Sequence, residues 1–189
     1  MKRIGILGDI GSGKSFVAKS FGYPVFNADM EVAELYKKDK KVFKKLKKLL
    51  PKYIFSFPIK KEEIIKAILK NKSNLKKIVK IVHKEIRKKM KIFMKKNRNK
   101  KLVILDIPLL LENKINKKKD ILVFVQSKKL DIKKKLKKRT GFNQKIIDNF
   151  KGIQLPLEYK KKKSNFIINN NFTRKSVKKK TKALLKRIL

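Results

Sequence analysis

Near its amino terminus the chain reads Gly8-Asp9-Ile10-Gly11-Ser12-Gly13-Lys14-Ser15, an unbroken G-x-x-x-x-G-K-S, and no other stretch constrains the fold as much. It follows the apolar run Ile4-Gly5-Ile6-Leu7 and leads into Phe16-Val17-Ala18, the order of strand, glycine loop and helix start. The glycines let successive backbone N–H groups turn inward around an anion, and the following helix adds the positive end of its dipole at the same point. In that setting Lys14 reaches the β- and γ-phosphates of a nucleoside triphosphate, and Ser15 is placed to ligate Mg²⁺. A glycine-rich turn that binds nothing is the alternative.

A chain of 189 residues is about one domain, long enough to bury roughly 70% of its unfolded surface, so a single domain over 1–189 is expected. It has no cysteine, which excludes disulfides and thiolate metal sites and fits a cytoplasmic protein. Met1-Lys2-Arg3 runs straight into the first strand, and every apolar run is too short to span a bilayer, so neither a signal peptide nor a membrane partner is expected.

The charge points elsewhere at first sight. Lys and Arg number 57 against 14 acids, a formal +43, which suggests a nucleic-acid or membrane-surface binder. Only six of these cations are Arg, however, and the lysines are spread along nearly every predicted helix beside abundant Ile, Asn and Phe. Recognition of phosphates and bases draws on the bidentate fork of Arg, so the excess reads as solvated faces, and no specific nucleic acid is expected.

Beyond the loop, a helix to Phe21 is broken by Gly22-Tyr23-Pro24, and Val25-Phe26 begins a second strand that ends at Asn27-Ala28-Asp29. An acid there faces the crevice at the carboxyl end of a parallel sheet, or else N-caps the helix predicted over Met30–Tyr36. From Asp39 to Lys96 the pattern is helical, with breaks at Pro51 and Phe57-Pro58; His83, the one histidine, lies beside an apolar seam with no metal-ligand spacing near it. Leu102-Val103-Ile104-Leu105-Asp106 is a buried-strand pattern whose closing acid either holds Mg²⁺ or bonds a loop amide. A strand over Ile121–Val125, a helix over Leu130–Arg139, helices over Asn143–Lys151 and Leu155–Lys163, a strand at Phe166–Ile168 and a helix over Thr173–Ile188 complete the chain. Arg139 is either a clamp for a transferring phosphate or an exposed helix-end cation.

Several of these segments together resemble the dephospho-CoA kinase family over essentially the whole chain. Ile10–Ser15 is similar to its phosphate loop, and Asn27-Ala28-Asp29 to its Asp-Ala-Asp, with Asn27 in place of the first acid. Ile81-Val82-His83-Lys84-Glu85-Ile86-Arg87 resembles its His-Pro segment, with Lys84 where proline is usual, and Pro108-Leu109-Leu110-Leu111-Glu112 matches its Pro-Leu-Leu-x-Glu loop. Arg139-Thr140-Gly141 resembles the lid arginine segment, Gln154-Leu155-Pro156 the Gln after it, and Ser164–Asn170 the terminal Ala-Asp-Tyr-Val-Ile-x-Asn. The departures are Asp9 for a glycine, Ile132 and Lys135 for the Gln and Arg of a Q-x-x-R, and Asn165 for an acid.

The resemblance implies transfer of the ATP γ-phosphate to the ribose 3′-hydroxyl of dephospho-CoA, giving CoA and ADP. It implies an α/β core of about five parallel strands over about 1–36 and 98–189, a helical substrate-binding insertion over about 37–97 and a helical lid over about 139–155. ATP would be bound by Gly11, Ser12, Gly13, Lys14, Ser15, Phe16, Arg139 and Asn170. The acceptor would be bound by Asp29, His83, Arg87, Pro108, Leu109 and Glu112, and Mg²⁺ by Ser15 and Asp106. Asp29, Lys14 and Arg139 are the expected catalytic residues, and a monomer with these two small molecules as its partners suffices. The rivals are another nucleotide or small-metabolite kinase built on the same loop, and a basic nucleic-acid-binding ATPase. A GTPase lacks support, since Asn71-Lys72-Ser73-Asn74 does not complete the guanine-reading N-K-x-D.

Overall fold

The computed structural model describes residues 1–138 and 142–189. Contacts divide the chain into two compact units: Met1–Asn27, Asn97–Phe142 and Gln154–Leu189 form an α/β unit, and Ala28–Lys96 with Asn143–Ile153 a helical one.

The α/β unit is built on strands β1 (Lys2–Gly8), β2 (Val25–Asn27), β3 (Leu102–Asp106), β4 (Ile121–Gln126) and β5 (Phe166–Asn169). They form one sheet in the order β2-β3-β1-β4-β5, every pair parallel. Both faces of such a sheet are covered, which is why its strands are near-continuous apolar runs and why every residue of β3 is buried. On one face, α1 (Lys14–Ser20) contributes Val17 and Ala18 and α9 (Arg174–Ile188) contributes Val177, Leu184 and Ile188 to a core with Ile4, Ile6, Ile104 and Val123. Gly5 lets the loop after β3 lie flat on the sheet, since a Cβ there would stand 2.5 Å from Leu110 Cδ2. The register sets Asn27 opposite Asp106, Gly8 opposite Val125 and Gln126 opposite Asn169, so the strands end along one edge. Near the other edge, the buried pair Arg3–Asp120 (2.8 Å) ties β1 to the turn before β4, with Asp120 also accepting from Lys117 N.

In the helical unit, α2 (Ala28–Lys38), α3 (Lys40–Leu49), α4 (Lys61–Lys70) and α7 (Gln144–Lys151) pack against α5 (Lys72–Lys96). Leu75, Ile78, Val82 and Ile86, at three- and four-residue steps, form the buried stripe of α5. Asp39 caps α3 by accepting from Lys41 N and Val42 N, and Asn143 caps α7 by accepting from Ile146 N. Buried Glu63 accepts from Phe55 N, Ser56 N and the Ser56 hydroxyl, fixing the loop that contains the cis Phe57–Pro58 bond. No described helix is long and apolar enough to cross a membrane.

Candidate active site

The phosphate loop sits between β1 and α1, at the edge where the strands end. Gly13 has φ +85°, and a Cβ on it would stand 2.3 Å from Asn170 Nδ2, so both the conformation and the space demand glycine. The loop is braced from behind: the Ser12 carbonyl accepts from Asn170 Nδ2 (2.8 Å) and from the Ser127 hydroxyl (2.9 Å). Asn170, buried just past β5, therefore acts on the loop's backbone; Ser127, just past β4, does the same and carries no motif that would single it out. From above, Ile132 and Leu136 of α6 (Lys129–Lys137) pack on Gly11, within 3.1 and 2.8 Å of where its Cβ would be. Ile132, which stands where the resembled pattern has Gln, is thus an apolar contact that seats α6 on the loop.

Lys14 donates from Nζ to the carbonyls of Asp9 (2.7 Å) and Gly8 (3.2 Å), which holds its ammonium across the loop. Asp9 turns its carboxylate back on the chain, with Oδ1 accepting from Ile10 N at 2.7 Å. Ser15 is exposed at the first turn of α1, and Phe16, which follows it, packs against the core.

Asp106 closes β3 as a buried carboxylate. Its Oδ2 accepts from Asn27 Nδ2 at 2.6 Å, and it also bonds the Ser15 hydroxyl, while the same Asn27 Nδ2 lies 3.5 Å from Ser15 Oγ. Burial pushes the Asp106 carboxyl above its ordinary value, opposed by the Ser15 hydroxyl, the Lys14 charge and Asn27. A carboxylate and a hydroxyl side by side at a phosphate loop are the hard oxygen donors that suit Mg²⁺, which keeps much of its shell for water and substrate phosphate. The residues present therefore fit the cation that the motif implies, and the described residues contain no cluster of three or more His, Cys, Asp or Glu that would suggest another metal.

Asp29 is exposed in the first turn of α2. Because α2 begins at Ala28 and not at Met30, Asp29 is a helical residue, where its charge favours the helix's positive end without serving as the N-cap. His83, half-buried, and Arg87, exposed, lie one turn apart on α5. Arg139, with the rest of the Arg139-Thr140-Gly141 segment, falls outside the described residues.

In the loop after β3, Pro108 is half-buried and Leu109 buried. Glu112 accepts at Oε1 from Lys160 Nζ (2.6 Å) and from Leu155 N (3.0 Å), and Lys160 also donates to Gln154 Oε1 at 3.2 Å. Lys160, on α8 (Leu157–Lys162), is a buried lysine within a run of four. Its role was not visible in the sequence, since nothing in that run marks one lysine as internal.

The sequence profile of the dephospho-CoA kinase family matches residues 2–176. A dephospho-CoA kinase of Wolbachia sp. subsp. Brugia malayi is 34% identical over 179 residues, covering 92% of this chain and 91% of its own. Among solved structures, TT1252 from Thermus thermophilus superposes with a TM-score of 0.74 at 25% identity, covering 100% of this chain and 98% of its own. The dephospho-CoA kinase from Campylobacter jejuni has the same fold, with a TM-score of 0.65 at 21% identity and coverage of 100% and 98%.

Proposed function

Because the chain belongs to the dephospho-CoA kinase family, we propose that Lys14, Ser15, Asp106 and Asp29 divide between them the work of moving the γ-phosphate of ATP to dephospho-CoA. The family reaction is ATP-dependent and yields CoA, the last step of CoA biosynthesis; the acceptor atom is the ribose 3′-hydroxyl and the other product is ADP. Such a transfer asks the protein to align its reactants and to stabilise charge, with little covalent chemistry of its own.

The loop amides and the start of α1 receive the triphosphate, and Lys14 exchanges its two carbonyl partners for the β- and γ-phosphate oxygens. Ser15 and Asp106 would hold Mg²⁺, which would supply neutralisation of the phosphate charge. Asn27 keeps the Asp106 carboxylate turned toward Ser15, so the donor pair is arranged beforehand. Asp29, two residues beyond the end of β2, accepts the proton of the attacking hydroxyl. Arg139 clamps the phosphoryl oxygens, within a lid over about 139–155. His83 and Arg87 bind the acceptor from α5, and Pro108 and Leu109 border it, while Glu112, committed to Lys160 and Leu155, holds their loop in place. The setting is cytoplasmic, with ATP and dephospho-CoA as the partners of a monomer.

The observation that carries this reading is the family match across residues 2–176 on a chain whose phosphate loop keeps every fixed residue of G-x-x-x-x-G-K-S. The test is ADP release by the purified chain with Mg²⁺ and ATP, with and without dephospho-CoA. Release that depends on dephospho-CoA, with formation of CoA, supports it; release indifferent to dephospho-CoA overturns it.

A further inference from the structure

The 22 residues from Lys40 to Lys61, which cover α3, the loop after it and the first residue of α4, contain nine lysines and no acid. Within this stretch the loop is pinned at both ends and exposed between them. Ile54 and Ile59 are buried, and Ile59 N donates to Tyr36 O at 3.0 Å, so the chain is tied to the core of the helical unit on either side. Between these anchors Phe55 is 64% exposed, Phe57 is 36% exposed, and Pro58 lies open to water. Buried Glu63 fixes the conformation by accepting from Phe55 N (3.1 Å), Ser56 N (3.4 Å) and the Ser56 hydroxyl. The rings are therefore displayed on a loop whose backbone is held from beneath.

Apolar rings left in water at a fixed turn, inside a stretch of one charge, match a partner that is apolar within and anionic at its surface. All nine lysines are exposed, and among the described residues only Lys45 pairs with an acid, Glu85 at 3.8 Å. A second copy of the chain is a poor occupant, since it would set one such group of lysines against another. A single-stranded nucleic acid needs successive open ring faces on which bases stack. Here the Phe43 and Phe57 rings turn toward each other, with centroids 5.5 Å apart and planes at 50°, and Lys47 Nζ lies 5.6 Å from the Phe43 centroid. That arrangement is an apolar knob edged by cations, and a bilayer surface takes such a knob without needing a ring face.

We propose that the loop after α3 docks the protein on a bilayer surface that carries anionic phospholipid, with Phe55 and Phe57 entering the boundary between headgroups and acyl chains and the lysines of 40–61 meeting the lipid phosphates. No apolar run long enough to span a bilayer is needed, because the contact is made by two rings and by charge. Together the two rings leave about one whole phenylalanine in water, worth about 10- to 100-fold in partition when it enters the bilayer. The lysines add an attraction that salt screens, so the association is peripheral and reversible. Because the whole chain carries a formal +43, charge alone draws it to any anionic surface; the rings decide which face is presented.

The chain has no tryptophan, so Phe55→Trp and Leu130→Trp each create a single reporter, the second at a residue 72% exposed on α6 of the other unit. The Phe55 side chain is exposed and its N–H bond to Glu63 does not depend on the ring, so substitutions there leave the loop in place. The test mixes the full chain with vesicles of phosphatidylcholine, with and without about one third phosphatidylglycerol. On the anionic vesicles the emission of Phe55→Trp is expected to shift to the blue and to be quenched by lipids brominated on their acyl chains, while that of Leu130→Trp does neither. In co-sedimentation at about 0.1 M salt, Phe55→Ser is expected to lower partition about 5- to 30-fold, the share of a ring that is two-thirds exposed. The proposal is overturned if the wild type does not co-sediment with the anionic vesicles, if bound Phe55→Trp keeps its emission in water, or if Leu130→Trp shifts as much. It is also overturned if Phe55→Ser partitions like the wild type, or if phosphatidylcholine alone gives the same response. A shift of Phe55→Trp produced by single-stranded polyuridylate and not by vesicles would overturn it in favour of base stacking, and one that grows with protein concentration alone would do so in favour of a dimer contact.

Discussion

Replacing Lys160 by Met tests whether the contact between α8 and the loop after β3 is held by charge or by packing. The substitution keeps the length of the aliphatic stem and deletes the ammonium, which bonds Glu112 Oε1 at 2.6 Å and Gln154 Oε1 at 3.2 Å. The Lys160 side chain is 1% exposed and that of Glu112 is 9%, so water cannot take the place of the lost partner. Glu112 Oε2 already has no hydrogen-bond partner, which leaves Leu155 N as the one described group still bonded to the carboxylate. Removing one member of a buried pair costs about 3–5 kcal/mol, because the remaining charge stays desolvated. For a chain of this length each kcal/mol moves Tm by about 2–4 °C, so Lys160→Met is expected to melt about 6–20 °C below the wild type.

The pair can also be removed as a unit. In Lys160→Met/Glu112→Gln no charge remains buried, and the Gln side-chain oxygen still accepts from Leu155 N, so the double variant is expected to recover to within about 1–2 kcal/mol of the wild type. Urea unfolding of the four proteins of the cycle, followed by circular dichroism, measures the coupling. A Lys160→Met variant that loses less than about 1 kcal/mol would refute the reasoning, as would a double variant whose loss equals the sum of the two single losses, since packing would then account for the contact.

Lys14→Ala is expected to fold normally and to lose at least about 10²–10³ in kcat, because it removes the cation proposed to meet the β- and γ-phosphates; thermal melting and steady-state turnover check the two halves. Asp29→Asn is expected to lower kcat by about 10²–10⁴ with little change in ATP affinity, and near-normal turnover would return Asp29 to a first-turn charge with no part in proton transfer. Asn27→Asp replaces the donor at 2.6 Å from Asp106 Oδ2 by a second carboxylate, so without Mg²⁺ it is expected to destabilise the chain by about 1–3 kcal/mol. Added Mg²⁺ is expected to raise its Tm more than that of the wild type, which melting across a Mg²⁺ series would show.

The strands and the phosphate loop were legible because they are local patterns: unbroken apolar runs for a doubly covered sheet, and a glycine spacing that few other structures need. The long helix α5 was legible for the same reason, through apolar residues at three- and four-residue steps. What could not be read is what depends on register between distant segments. Asn27 was visible as a missing acid; only the pairing of β2 with β3 turns it into the donor that holds Asp106, 79 positions away in the chain. Asn165, another missing acid, uses its amide oxygen to accept from Leu122 N and its own N–H to bond Leu122 O, extending the pairing just ahead of β5. The beginning of α2 was read two residues late, because Ala28 and Asp29 follow the strand without a break and carry no stop signal.

The same distinction explains how the fold carries a formal +43. Among the described residues, two cations are buried against acids, Arg3 on Asp120 and Lys160 on Glu112, and each ties an element of the α/β unit to a loop. Pairs such as Lys38–Glu34 are exposed, where an ion pair adds about 0–1 kcal/mol. In composition the chain resembles a polyanion binder, whereas Lys14, Asp106, Asn27 and Ser15 lie within one small constellation at the ends of β1, β2 and β3. Elsewhere, lysine at an exposed helical position is a residue of good helix propensity that asks for no partner. The count of charges alone does not reveal where in the fold a charge is held.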